Sequence, residues 1–405
     1  MRTTFVAPLT PETAPNPQAK AASAPAAKAA PARPAAAATP APAPAAGPRT
    51  GKAEVTLVGL DAGTNKTCVK AAFAGSADLI VSEVVPTLVG YTREGIVENL
   101  LPGNARVLFG DAAAKNRLYL RCVRPLVNGV IEDLSAAKDF LRYVRGLINV
   151  PEGMELRAVV GVPANADRSA REKLLAALRG LFDKVALIPE PFLAALGFRD
   201  ESRLGQPGYL DPVRNSLFVD IGAGTTDVCL VQGYFPGPED QVSSSFAGDR
   251  VDELLAAAIR KQYPNVELSM VKVRELKEQF SYVGSSEGPA SASVIVGGKM
   301  RRLELTEIIG NVCSQLLQEV FELVKAAIAR ASTDSVGELL QNIIITGGGS
   351  QIANLGTELQ RLLVEDGYEK PRVQTGGENY KEYVAKGALA AARQARDSQW
   401  ERPGA

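Results

Sequence analysis

The segments Val58-Gly-Leu-Asp-Ala-Gly-Thr-Asn-Lys-Thr-Cys-Val69 and Phe218-Val-Asp-Ile-Gly-Ala-Gly-Thr-Thr-Asp-Val228 carry nearly the same pattern in distant parts of the chain. Each has strand-forming residues, an aspartate, a Gly-Thr turn and a second strand-forming run, which predicts a β-hairpin. The tip of such a hairpin can bring backbone N–H groups and hydroxyls against phosphate. A third turn, Thr346-Gly-Gly-Gly-Ser350, follows another predicted strand. Together the three segments predict a nucleotide held between two related domains.

The composition indicates a globular protein with two medium-sized cores, because 46% of its 405 residues are hydrophobic and 22% are charged. Lys plus Arg and Asp plus Glu both number 45, so there is no net charge that would favour a nucleic-acid partner. No apolar run is long enough for a membrane span, and the N-terminus lacks a secretory signal pattern. We therefore expect a cytoplasmic protein.

The side chains available for chemistry are restricted, because the chain contains no histidine. This excludes Ser-His-Asp and Cys-His catalysis and histidine-ligated zinc. The four cysteines show no CxxC spacing and are expected to be small buried residues in a reducing compartment. Any reaction must therefore use carboxylates, hydroxyls, lysines and the backbone.

Residues 1–52 differ in composition from the rest, with eleven of the 26 prolines, long alanine runs, and six Lys or Arg against the single acid Glu12. Proline at this density breaks helices, and little apolar surface is available to offset the entropy of ordering. We predict a disordered basic tail. It can be interpreted as a solubilising spacer, or as a contact for an acidic or membrane-associated partner.

From Glu54 onward predicted strands and helices alternate, which is typical of an α/β protein. A Gly/Asn-bearing loop is predicted over 99–110, and a Gly/Pro-rich loop over 205–212 separates two halves. Besides the two hairpins, strands are predicted at 158–162, 185–188, 291–296 and 342–346. Helices are predicted at 136–147, 169–181, 189–197, 251–262, 272–282, 306–330, 354–363 and 381–396.

The two hairpins, the Glu190-Pro191 helix start and the glycine turn at 347–349, in this order, resemble the actin-like ATPase superfamily of actins, heat-shock chaperones and sugar kinases. The segment Pro125-Leu-Val-Asn-Gly-Val-Ile131 resembles the MreB-type bacterial actins. Residues 216–284, with Pro236-Gly-Pro-Glu-Asp-Gln-Val242 and Lys277-Glu-Gln-Phe-Ser-Tyr-Val-Gly284, are most similar to the MamK-type actins associated with magnetosomes.

The resemblance implies an α/β actin-like fold of two RNase H-like domains with a nucleotide cleft between them, after the disordered tail. Domain I would span 53–197, completed by a C-terminal helix at 380–397. Domain II would span 198–379, and 398–405 would form a flexible C-terminus. One departure is that Arg274 stands three positions before Lys277, where relatives commonly have an acidic residue.

The aspartates of the two hairpins are candidates for holding Mg²⁺ through water, since this hard cation keeps part of its hydration shell. Alternatively, Asp61 and Asp220 each stabilise their own turn by accepting backbone hydrogen bonds. Lys66 would neutralise phosphate charge, or be a solvated turn lysine. The residues that would surround the β- and γ-phosphates of ATP are Gly63, Thr64, Asn65, Lys66, Gly222, Gly224, Thr225 and Thr226.

Three further elements complete the predicted site. From sequence alone the favoured interpretation of Glu190 is an acidic N-cap that complements the helix dipole. The resemblance favours a different role, because Glu190 matches the glutamate that orients or activates the attacking water in the actin-like pattern. Lys277 would reach the ribose or base, or be a surface lysine. The glycine turn would line the adenosine or α-phosphate through Gly347, Gly348, Gly349 and Ser350.

The resemblance implies a cytoskeletal ATPase that polymerises head to tail with ATP and Mg²⁺, destabilises its filaments on hydrolysis and positions organelles or other cargo. A small-molecule kinase would need a polar substrate pocket, for which no motif is visible. A chaperone would carry a peptide-binding domain after the ATPase region. The alternatives are a nucleotide-binding scaffold of the cell-division or pilus-assembly type and a small-molecule kinase of the same superfamily. The sequence does not distinguish ATP from GTP.

Overall fold

A computed structural model describes residues 54–163, 166–286, 288–296 and 298–403. These residues belong to one compact unit that spans Lys52–Ala405. The predicted tail, residues 1–52, lies outside the described residues, as do the last two residues of the predicted C-terminal segment. No helix in the described part of the chain combines the length and hydropathy needed to cross a bilayer.

The described chain contains seventeen strands and ten α-helices. The strands are β1 Val55–Ala62, β2 Lys66–Phe73, β3 Leu79–Pro86, β4 Val89–Thr92, β5 Val107–Phe109, β6 Leu120–Val123, β7 Leu126–Val127, β8 Val130–Ile131, β9 Glu155–Val162, β10 Lys184–Pro189, β11 Ser216–Ile221, β12 Thr226–Val231, β13 Gln241–Ser244, β14 Ser291–Val296, β15 Lys299–Glu304, β16 Ile343–Thr346 and β17 Val373–Thr375. The helices are α1 Gly110–Lys115, α2 Leu134–Leu147, α3 Arg168–Leu178, α4 Glu190–Phe198, α5 Gly248–Gln262, α6 Met270–Phe280, α7 Thr306–Ile328, α8 Val336–Leu340, α9 Leu355–Glu365 and α10 Tyr383–Gln394.

The first predicted hairpin is the centre of a five-stranded sheet with the order β10-β9-β1-β2-β3. Strand β1 pairs with β2 in antiparallel register, Asp61 opposite Cys68, and with β9 in parallel. Both faces of β1 are buried: Val58 and Leu60 face a cluster with α2 and α3, whereas Leu57 faces α4 and α10. Burial on both sides explains why β1 reads as an almost unbroken apolar run.

The second predicted hairpin has the same position in a second five-stranded sheet, whose order is β13-β12-β11-β16-β17. Strand β11 is antiparallel to β12 and parallel to β16. One face packs on α5, α7 and α9, and the other contributes Phe218 and Ile344 to the apolar cluster that contains Leu193 of α4. Helix α4 therefore packs between elements of both sheets, and the first residue of this helix, Glu190, lies next to both hairpins.

Helix α10 returns to the first sheet, where it packs against α4, β1 and β9. The crossing with α4 is possible because each helix presents a glycine. A Cβ at Gly197 would collide with the carbonyl of Tyr383, and a Cβ at Gly387 would collide with the carbonyl of Leu193. The division into domains at 53–197 with 380–397, and at 198–379, stays a proposal that agrees with this sheet pairing.

Several predicted boundaries were wrong by a few residues. Helix α4 does not end at Gly197 but continues to Phe198, because this glycine serves close packing rather than termination. The predicted 99–110 loop contains β5, which pairs with β4 in a small sheet of the order β5-β4-β6. Strand β15 was missed because its sequence, Lys-Met-Arg-Arg-Leu-Glu, is mostly charged, and Leu303 alone is buried.

Candidate functional site

The two hairpins, the glycine turn, the start of α4 and helix α6 line one cleft of about 490 Å³. This volume is within the range of small-molecule sites. The predicted site residues that line it are Asp61, Gly63, Thr64, Asn65, Lys66, Glu190, Asp220, Gly222, Gly224, Thr225, Lys277, Gly347, Gly348 and Gly349.

Two predicted site residues do not line the cleft. The buried hydroxyl of Thr226 donates a hydrogen bond to the carbonyl of Phe246 at 2.8 Å. The hydroxyl of Ser350 donates to the carbonyl of Gly347 at 2.7 Å. Both hydroxyls therefore donate hydrogen bonds within the protein, and both residues stabilise the turns without lining the cleft.

The loops of the first hairpin and its neighbours are fixed by hydrogen bonds. The hydroxyl of Thr64 accepts from the backbone N–H of Gly129 at 2.8 Å. The carbonyl of Gly63 accepts from the hydroxyl of Thr87 at 2.7 Å. In the second hairpin the N–H of Gly222 donates to the carbonyl of Thr225 at 2.9 Å. The tips are therefore held in place before any ligand binds.

The glycine turn is pressed against the second hairpin. Gly347 has φ of +77°, a left-handed conformation that side-chain-bearing residues rarely adopt. A Cβ here would collide with the carboxylate of Asp220 and the carbonyl of Ile221. Glycine at this position lets the turn approach the aspartate, which brings the backbone after β16 to the cleft surface.

Three carboxylates converge where the hairpins meet α4. Burial, and secondarily the nearby Asp220, raises the pKa of Asp61 to about 8. Burial and then Asp227 raise the pKa of Asp220 to about 7. The pKa of Glu190 is raised well above its ordinary value, first by burial and then by Asp61, Asp227 and Asp220. A group of half-buried carboxylates that repel one another is suited to receive a cation.

The donor set fits Mg²⁺ only if other oxygens take part. Among the described residues no group of three Asp, Glu, Cys or His side chains surrounds a point where a metal ion could sit. Asp61 and Asp220 could hold Mg²⁺ through water, with phosphate oxygens as its remaining ligands, as is usual for this ion. The arrangement therefore fits a metal that arrives with a nucleotide.

Glu190 does not make the side-chain cap that its alternative interpretation required. Pro189 occupies the N-cap position of α4, and no side-chain cap hydrogen bond is present there. Glu190 is the first helical residue, and its side chain packs against Gly161 of β9. Glu190 lines the cleft together with Asp61 and Asp220.

Lys381 and Tyr380, which no sequence motif predicted as site residues, also line the cleft. The side chains of Lys381 and Lys66 approach each other, and the pKa of Lys66 is lowered by burial and by this second ammonium group. Two neighbouring ammonium groups repel, so an anion bound beside them would be stabilised. No local motif marks Lys381, because the tertiary packing of α10 brings it to the first hairpin.

Lys277 is neither exposed nor free. Its ammonium group lies 2.6 Å from a carboxylate oxygen of Asp252 and donates to the carbonyl of Gly248 at 2.8 Å. Asp252 also bonds Arg274 at 2.9 Å. The surface-lysine alternative is therefore wrong, although contact with ribose or base stays a prediction.

The comparisons with known proteins agree with this arrangement. Residues 55–395 match the family model described as MreB/Mbl protein. The actin-like protein MamK of Paramagnetospirillum magneticum is 33% identical over 311 residues, covering 76% of this chain and 84% of that relative. The solved MamK double helical filament has a TM-score of 0.75 at 30% identity and covers 84% of this chain and 100% of its own. A non-polymerising MamK mutant bound to AMPPNP has a TM-score of 0.62 at 30% identity, covering 84% of this chain and 99% of its own.

Proposed function

The chain belongs to the MreB/Mbl family and has the actin-like fold, and on this premise we propose that it is a filament-forming ATPase. It binds ATP with Mg²⁺ in the cleft and hydrolyses the nucleotide to ADP and phosphate. Copies associate head to tail into a cytoplasmic filament, and hydrolysis weakens the contacts between them. Positioning of organelles or other cargo belongs to the same proposal.

One observation carries the proposal: two hairpins of the same design face each other across a cleft that also contains the glycine turn and Glu190. Solved relatives support both nucleotide binding and filament formation. A MamK mutant was solved with the ATP analogue AMPPNP, and MamK was solved as a filament. Such a site serves phosphoryl transfer to water, which depends on positioning and charge neutralisation.

The hairpin tips would bind the phosphates through backbone N–H groups and through Thr64 and Thr225, while Lys66 and Lys381 would offset the phosphate charge. Asp61 and Asp220 would hold Mg²⁺ through water. When bound, this ion supplies charge neutralisation at the β- and γ-phosphate oxygens. The glycine turn leaves room for the nucleotide beside the second hairpin.

Glu190 would orient the attacking water and accept its proton. A carboxylate whose pKa is raised is a stronger base, and this is the direction that burial and the neighbouring aspartates impose on Glu190. Packing of its side chain against β9 restricts where the carboxylate can point. Both effects favour proton transfer at one position in the cleft.

The proposal is tested by sedimentation of the purified protein with Mg-ATP, with Mg-ADP and without nucleotide, while phosphate release is followed in the same samples. We expect pelleting that depends on ATP, together with phosphate release. Soluble protein that binds nucleotide would refute filament formation and favour a kinase or a scaffold. Protein that binds no nucleotide would refute the site itself.

The role of Glu190 is tested by Glu190→Gln, which keeps the shape of the side chain. Loss of a positioned base typically slows a reaction about 10²- to 10⁴-fold, whereas Mg-ADP affinity should change little. Glu253→Gln, at an exposed position on α5, is the matched control and should hydrolyse ATP like the unmodified protein. Equal rates in both variants would remove Glu190 from the mechanism.

The predicted partner of residues 1–52, an acidic or membrane-associated one, stays a prediction. Pelleting of the full chain and of a chain without residues 1–50, with vesicles or with lysate, would test it. Equal binding by the two proteins would refute a role of the tail.

A further inference from the structure

Asp249 connects parts of the protein that are distant in sequence. One of its carboxylate oxygens lies 2.7 Å from the guanidinium of Arg124, which follows β6. The other oxygen lies 2.9 Å from the guanidinium of Arg274 in α6. The side chains of Arg124, Asp249 and Arg274 are 32%, 25% and 25% exposed, so solvent screens these pairs less than pairs on an open surface.

Both arginines also reach the tip of the first hairpin. Arg124 donates to the carbonyl of Thr64 at 3.4 Å, and Arg274 donates to the side-chain oxygen of Asn65 at 3.3 Å. These are long hydrogen bonds, but they come from guanidinium groups already fixed by a carboxylate. The first hairpin is thereby linked to Asp249.

The backbone around Asp249 is bonded to the tip of the second hairpin. Its N–H donates to the carbonyl of Ala223 at 2.7 Å, and the N–H of Gly248 donates to the carbonyl of Gly222 at 3.1 Å. Helix α5 begins here, so the position of this helix start and of the second hairpin are coupled. Asp249 consequently stands between the two hairpin tips, bonded toward each.

Arg274 is held in a way that a lysine could not reproduce. Three of its nitrogens have three different partners: Asp249, the buried Asp252, and Asn65. The planar guanidinium offers these donors in fixed directions, whereas an ammonium group is a single point charge. Arg274, which stands at a position where an acidic residue is common, therefore pairs with two aspartates.

We propose that Asp249, held by Arg124 and Arg274, is a positioning residue that sets the spacing of the two phosphate-binding turns. Correct spacing of the two turns aligns the terminal phosphate with Glu190. Small displacements of reacting groups from this alignment slow a reaction strongly. The proposal rests on the proposed ATPase function. It concerns how the turns are arranged and not which groups bind the nucleotide.

The first test is Asp249→Asn, a replacement of nearly equal shape that removes the charge. We expect kcat for phosphate release to fall about tenfold or more, with Mg-ADP affinity changed less than kcat. Arg250→Gln is the matched control, because Arg250 is the next residue of α5 and makes an exposed pair with Glu253. If the unmodified protein neither binds Mg-ADP nor releases phosphate, the proposed function fails; if it does both and Asp249→Asn equals it, the positioning role fails.

A double-mutant cycle separates positioning from direct nucleotide contact, because Asp249 itself lines the cleft. Removal of either partner of a positioning pair loses the same alignment, so Arg124→Gln/Asp249→Asn should be no slower than Asp249→Asn alone. Fully additive losses would overturn the proposal. Arg274→Lys provides a second readout: it should lose activity despite keeping its charge, and full activity would contradict the role of the guanidinium.

Circular dichroism and the melting temperature establish that each variant is folded before its rate is interpreted. If Asp249→Asn does not fold, Arg124→Gln takes its place, since Arg124 lies outside the helices and its loss leaves the second hairpin bonds intact. A normal kcat in folded Arg124→Gln would likewise overturn the proposal.

Discussion

The substitution Gly387→Ala is a quantitative test of the close packing between α4 and α10. The added Cβ would meet the carbonyl of Leu193, with the carbonyl carbon at 2.7 Å and the backbone nitrogen of Gly197 at 2.9 Å. Real Cβ atoms essentially never approach other atoms within 3.0 Å. Since the atoms met belong to the backbone of the facing helix, the clash is relieved only by moving one helix away.

Two effects of opposite sign decide the result. Alanine is favoured over glycine inside a helix by about 1 kcal/mol. Overpacking of a well-packed interface typically costs about 1–3 kcal/mol and sometimes more. Helix α10 cannot move toward the first sheet instead, because the two are already so close that a Cβ at Gly59 of β1 would collide with the backbone of α10 at Ala385 and Leu389. We therefore expect Gly387→Ala to be about 1–3 kcal/mol less stable than a glycine-to-alanine change without a clash, which is a net loss of up to about 2 kcal/mol in the free energy of unfolding relative to the unmodified protein.

The assay is urea or thermal unfolding followed by circular dichroism, with Gly146→Ala as the control. Gly146 lies in α2, is exposed, and has no atom within 4 Å of a Cβ built on it. The control should be as stable as the unmodified protein or gain up to about 1 kcal/mol from helix propensity. A Gly387→Ala protein as stable as this control would refute the close crossing. Nucleotide affinity should also weaken in Gly387→Ala, because Val384 in the first turn of α10 and Lys381, two residues before this helix, line the cleft.

Three further outcomes follow from the burial and charge of individual groups. Of the four thiols, Cys122 is exposed and the other three are buried; a thiol reagent should modify one cysteine in the native protein and four in denaturant. Without nucleotide and Mg²⁺, the pKa of Asp220 is raised to about 7 and that of Asp61 to about 8. The folded protein is therefore more stable when these two carboxyl groups are protonated. This contribution is complete below about pH 4 and is lost progressively until the pH passes the folded-state pKa values of about 7 and 8, so the melting temperature should fall between about pH 5 and pH 8, and Asp61→Asn should flatten the fall. Replacement of Lys381 by Met should weaken Mg-ADP binding about 10- to 150-fold, measured by calorimetry, since a charge-assisted hydrogen bond contributes about 1.5–3 kcal/mol. Unchanged affinity would refute its contact with phosphate. The pKa of Lys66 should rise once its neighbouring cation is gone.

The sequence by itself determined the elements that are local. Strand-forming runs on either side of a Gly-Thr turn predict hairpins, because two strands that are adjacent in sequence can hydrogen-bond to each other directly. Both hairpins are present, with Asp61 near the end of β1 and Asp220 near the end of β11. The repetition of this pattern, with Glu190-Pro191 and the glycine turn, also identified the superfamily. Most predicted site residues lie on these local motifs and so were found together in one cleft.

Only the tertiary structure decided the contacts between segments far apart in the chain. Lys381 reaches the cleft because Gly197 and Gly387 allow α10 to pack on α4, and no pattern near Lys381 records this. The partners of Arg274 follow from the pairing of α6 with the start of α5 and with the first hairpin. Side-chain charge and spacing are written in the sequence, but which charges meet depends on how sheets and helices pack, because ion pairs form wherever packing brings opposite charges within a few ångströms.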